Sequence, residues 1–149
     1  MNVLKSDNFI VQINSYTKQD WKPLLNLIPE IEKVEKFGEI SKRAEKLLEK
    51  GIIEMPPYVE NKIFEEFREV CYDIPIIIDF DWGSWDEGRR IVSNKDFDYD
   101  SIDIPTKCKI ITAIVRNDRF CDGVLISYFE SGVMLKVLKS IQKQLRFES

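Results

Sequence analysis

The chain contains no histidine. That absence removes Ser-His and Cys-His nucleophile pairs, imidazole metal ligands and the usual general base near neutral pH. Any catalysis must draw on carboxylates, lysine, tyrosine or cysteine. No apolar run approaches the ~20 residues that span a bilayer. The first residues, Met1-Asn2-Val3-Leu4-Lys5-Ser6-Asp7, show no basic segment followed by an apolar one, so no signal peptide is expected. Cysteine is scarce. Cys71, Cys108 and Cys121 cannot all pair within one chain, and their spacing fits neither a zinc site nor a redox pair. They are expected to be reduced thiols of a cytoplasmic protein. Glycine and proline number six each, and no repeat, low-complexity tract or flexible linker interrupts the chain. The 149 residues are therefore expected to form one domain, 1–149.

What is present is ordinary in amount and uneven in placement. The net charge is -4. Residues 1–100 carry 14 basic against 21 acidic side chains, and residues 101–149 carry 8 against 5. The whole should not attract nucleic acid, and the two parts attract each other within one body.

Helical periodicity dominates. Thr17 is placed to cap a first helix carrying Trp21, Leu24, Leu25 and Ile28, which Pro29 interrupts. Residues 39–50 read as a second helix closed by Gly51, and residues 57–72 as a third with Ile63, Phe64, Phe67 and Cys71 in its apolar face. Residues 74–80 are β-branched and extended, and their one visible strand partner is residues 8–13. Ser84 and Glu87 match a capping box for a short helix ending near Ser93. Asp103 and Pro105 open a helix to about Arg116, Asn117-Asp118 is read as a turn, and Asp122 is read as the cap of a helix that stops at Gly132. Met134, Leu138, Ile141 and Leu145 form the stripe of a last helix. The expectation is a mainly α domain of about six helices, with one short extended segment or two-stranded pairing.

Two segments concentrate chemistry. Arg116-Asn117-Asp118-Arg119-Phe120-Cys121-Asp122-Gly123 places four charges between strongly apolar stretches. Such charges are either paired or serve a ligand. Arg116 and Arg119 together suit a carboxylate or phosphate. Equally, they staple a corner by pairing with Asp118, Asp122 or Glu130. Cys121 beside Arg119 has the cation that activates a thiol but no base. The second segment is Asp79-Phe80-Asp81-Trp82-Gly83-Ser84-Trp85. Asp79 and Asp81 beside Trp82 and Trp85 suit acid-base or metal-assisted hydrolysis, or they bond within a turn while the tryptophans fill the core. A basic stripe on the last helix, Lys136, Lys139, Lys143 and Arg146, suits phosphates or simply faces water. No metal or cofactor motif is present.

Residues 115–123, followed by Phe129-Glu130-Ser131-Gly132, resemble a bacterial domain family of unknown function. Its small members carry an Arg-x-Asp-Arg-Phe-Cys-acidic-Gly turn, then Glu-Ser-Gly, with an Asp-Trp-x-x-Trp segment upstream that Asp81-Trp82-Gly83-Ser84-Trp85 matches. The resemblance implies no activity, substrate or cofactor. It implies that the turn and the tryptophan segment form one constellation. The sequence thus points to a binding or interaction module rather than an enzyme, taking a small anion or peptide at Trp82, Trp85, Arg116 and Arg119, with the two arginines meeting Asp79, Asp81 or Glu130. A carboxylate-based hydrolase, a nucleic-acid accessory role and self-association are the alternatives.

Overall fold

A computed structural model describes residues 3–35, 37–40, 46–47, 49–51, 58–121 and 123–147. It is mainly α. In chain order come β1 (Leu4–Lys5), α1 (Phe9–Asn14), α2 (Lys18–Leu25), α3 (Leu27–Lys33), β2 (Gly38–Ile40), β3 (Tyr58–Glu60), α4 (Ile63–Asp73) and β4 (Ile78–Asp79). A 3-10 turn (Trp82–Ser84), α5 (Asp86–Ser93), a second 3-10 turn (Tyr99–Ser101), α6 (Ile104–Asp118), α7 (Val124–Glu130) and α8 (Val133–Phe147) complete it.

The hub is α6, which packs against α1, α5, α7, α8, β4 and the Trp82–Ser84 turn. Its sequence explains this, because Cys108, Ile110, Ile111, Ile114 and Val115 cover more than one face and all are buried. Asp103 caps it by accepting from the Thr106 N–H at 2.9 Å. The stripe of α8 is as expected, with Met134, Leu138, Ile141 and Leu145 all in the core. Phe64 and Phe67 of α4 meet Phe129 of α7 edge-on, at 4.9 and 5.2 Å between ring centres. Thr17 and Asp20 cap α2 reciprocally, as Thr17 predicts.

Residues 74–80 do form a short strand, but residues 8–13 are not its partner. β4 pairs in parallel with β1, Leu4 opposite Ile78. The segment Phe9–Asn14 is helical instead, because one helical face buries Ile13 and lays Phe9 against the core while Ile10 and Val11 stay outside. Thr112 of α6 joins β4 to the hub. Its hydroxyl accepts from the Ile78 N–H at 3.1 Å and donates to the Cys108 carbonyl at 2.8 Å. The Ile78 N–H of a strand with one neighbour thus finds its acceptor on the hub helix.

Other expectations shift in detail. The break after α2 falls at Asn26, and Pro29 sits in the first turns of α3, where its missing N–H costs nothing. Glu39 and Ile40 belong to β2, which pairs antiparallel with β3. Half of the helix expected over 39–50 lies outside the described residues, as does Pro57, and Lys46, Leu47 and Glu49 are helical. Ser84 caps no helix: it ends the 3-10 turn, and α5 begins after Trp85 with no side-chain cap. Asn117 and Asp118 continue α6 rather than turn.

Candidate functional site

Asp118 decides the corner between α6 and α7. Its carboxylate is nearly buried and lies 2.7 Å from Arg68 Nη2 of α4. Its other oxygen accepts from the Leu125 N–H at 3.0 Å. Leu125 is the second residue of α7, whose own start at Gly123 offers no side-chain cap. The preceding helix therefore supplies the cap. Gly123 has φ +91°, a left-handed conformation that an L side chain rarely adopts. The partner of Asp118 is thus a residue 50 positions earlier, not Arg116 or Arg119. Among the described residues neither of those arginines makes an ion pair. Arg116 is half-buried and Arg119 exposed. Asp79, Asp81 and Glu130 are exposed, and Asp122 lies outside the described residues.

The tryptophan segment does reach α6, through apolar contacts. The Trp82 ring stacks on Phe120, 6.1 Å between centres and 28° between planes. Trp85 meets Phe80 edge-on at 5.7 Å, and the Lys109 ammonium lies 4.4 Å from the Trp85 ring centre. The Trp85 ring also rests on Gly88, where an added Cβ would overlap the indole. Gly88 is a glycine because a ring packs on its backbone.

These contacts frame a cleft of about 140 Å³. Its floor is Ile110, Ala113, Ile114 and Asn117 of α6, spaced three, one and three apart on one helical face. Trp82, Trp85 and Tyr128 wall it, and Val92 and Arg89 of α5 close the far side. Arg89 is already held by Asp86 at 3.0 Å and by the Gly83 carbonyl. Among the described residues no carboxylate lines the cleft, and no group of three metal-binding side chains occurs. Asp79 and Asp81 are not among the residues that line it. Of the expected pocket residues, Trp82 and Trp85 line the cleft, and Arg116 and Arg119 do not. Arg89, Asn117 and Tyr128 escaped sequence reasoning. The signal that carries them is a small residue facing aromatic ones, Gly88 and Ala113 opposite the two tryptophans.

The basic stripe of α8 is not a free one. Lys139 lies 3.6 Å from Glu32 and Lys143 lies 2.8 Å from Asp100. The Asp100 carboxyl is held below its usual range by the Lys143 and Ser140 hydrogen bonds. Behind it Lys107, with no exposed surface, donates to Gln144 Oε1 at 2.6 Å. Burial pulls the Lys107 ammonium down to about 8, against the nearby charge of Asp100, Asp103 and Asp98. Cys71 and Cys108 are buried free thiols, and Cys121 is an exposed one.

No curated protein and no solved structure matches the chain. A family model described as a family of unknown function, DUF6508, matches residues 16–146.

Proposed function

The chain belongs to the DUF6508 family, of unknown function, and we propose that it is a non-enzymatic binding module whose cleft accepts one ring-sized apolar side chain of a peptide. The observation that carries this reading is the cleft's size and lining. A cavity of ~150 Å³ holds a benzene ring, and clefts for whole small molecules begin at ~300 Å³. At about 140 Å³, walled by two tryptophans and a tyrosine, this one suits a single side chain. Tryptophan, tyrosine and arginine are also the residues that most often anchor interfaces. Free thiols at all three cysteines suit a reducing compartment, and we place the protein in the cytoplasm. Among the described residues no helix is long and apolar enough to cross a membrane.

N-acetylphenylalaninamide tests the reading. Titration followed by amide NMR is expected to give saturable shifts at Gly88, Asn117 and Tyr128, with a millimolar dissociation constant. Gly88→Ala, which displaces the Trp85 ring, is expected to abolish them while leaving the amide of core residue Trp21 in place. Shifts confined to other regions, or none at millimolar probe, would overturn the cleft as a binding site.

A further inference from the structure

We infer that the side chain entering the cleft in the isolated protein is Phe120 of a second copy of this chain, in a reciprocal two-fold dimer. The inference rests on the cleft reading above and names its occupant.

Four observations meet at this surface. First, Phe120 is 78% exposed, more than the other exposed large apolar side chains among the described residues, Val3, Ile10 and Val11. Its ring is the group that the cleft volume fits. Second, Phe120 stands on the rim itself, stacked on Trp82, which lines the cleft. Third, its backbone is set. The Asn117 carbonyl accepts from the Phe120 N–H at 3.0 Å and from the Cys121 N–H at 2.9 Å. The protruding ring is therefore presented by a hydrogen-bonded turn, and docking it costs little ordering entropy. Asn117 also lines the cleft. Protrusion and recess are thus neighbours in one patch, the condition under which two copies engage each other reciprocally across a two-fold axis.

Fourth, the charges around the two features are complementary. Arg119 is exposed beside Phe120 and makes no ion pair among the described residues. The connection that carries Trp82 and Trp85 also carries exposed Asp81 and Glu87. Reciprocal docking of Phe120 carries the arginine of each copy towards the acidic connection of the other. The pairing of Arg119 with Asp81, which is not made among the described residues, is on this proposal made between chains. An interface centred on one ring a side falls in the small, weak class, so the dimer is expected to exchange freely with monomer.

Sedimentation equilibrium of the full chain from micromolar to millimolar concentration tests this. A reversible monomer–dimer equilibrium is expected. Phe120→Glu is expected to weaken it about 30-fold or more. Circular dichroism of that variant should be unchanged, because the side chain is already in water. Arg119→Glu is expected to weaken it by a smaller factor, with a shallower salt dependence. Millimolar N-acetylphenylalaninamide should dissociate the wild-type dimer. A wild-type chain that stays monomeric to millimolar concentration would overturn the dimer. If the probe still shifts Gly88 and Asn117, the cleft reading survives alone, and if it does not, both fall. A dimer that withstands Phe120→Glu would also overturn the proposal.

Discussion

Asp118 and Lys107 stand near opposite ends of α6, and both are buried. Their surroundings differ. Asp118 has a guanidinium at 2.7 Å on one oxygen and a backbone N–H at 3.0 Å on the other. Lys107 has a neutral partner, the Gln144 amide, which is itself oriented by donating to the Ile102 carbonyl at 3.1 Å. A buried carboxylate is readily satisfied at a helix corner, where orphan N–H groups and an arginine converge. A buried ammonium needs acceptors, and the acids near Lys107 act on it through space rather than by contact. One buried charge therefore fixes the geometry of three helices, and the other carries a desolvation cost that its neighbours only partly offset.

The largest test of that contrast is Arg68→Leu. It leaves the Asp118 carboxylate buried with a single N–H, and is expected to cost about 3 kcal/mol or more by urea denaturation. Asp118→Ala removes the carboxylate itself. Arg68, whose side chain is 30% exposed, then regains water, so the expected loss is smaller, about 2 kcal/mol, and reflects mainly the lost cap of α7. In the double variant the losses should not add, because the second change removes the charge that the first left stranded. Additive losses would mean that the pair does not hold the corner.

The same contrast shows what the sequence made legible. Patterns within one helix were readable: the stripe of α8, the apolar face of α4 and the caps at Thr17 and Asp103 are all contacts over three or four positions. Of the charges at 116–122, the expected desolvation falls on Asp118 and in part on Arg116, while Arg119 is exposed. The pairing of Asp118 was not readable, because Arg68 sits 50 residues from it in a helix whose visible signal was apolar. Likewise Lys107 reads as an ordinary polar position beside Cys108. In the fold it meets Gln144 of α8 and lies near the charges of Asp98, Asp100 and Asp103. The short run Phe9-Ile10-Val11-Gln12-Ile13 satisfies helix and strand alike, and packing on α6 decides it. At the cleft, Trp82 and Trp85 were conspicuous. Gly88 and Ala113, whose smallness makes the space, were not.

Lys107 gives the opposite expectation from Asp118. Lys107→Met keeps most of the stem volume and discards the ammonium, so at pH 7 it should change stability by less than about 1 kcal/mol, in either direction. A loss approaching that of Arg68→Leu would show the amine to be as firmly partnered as the carboxylate, and the contrast would collapse.

The pH dependence sharpens this further. The folded Lys107 ammonium titrates near 8, below its ordinary 10.5. Between those values the unfolded chain holds a proton that the folded chain has released. The penalty is full below about 8 and is relieved as pH rises towards 10.5, so this group makes the protein more stable with rising pH. The gain is at most about 1.4 kcal/mol per pH unit. Tyr16 and Tyr99 act the other way, since burial raises both and their stabilising neutrality is lost as pH climbs past the ordinary tyrosine value of 10.0. The window to measure is therefore pH 8 to 9.5. Within it the stability of wild type relative to Lys107→Met should rise. A flat difference would mean that the ammonium reaches water in the folded protein and is not the uncompensated charge that separates the two ends of α6.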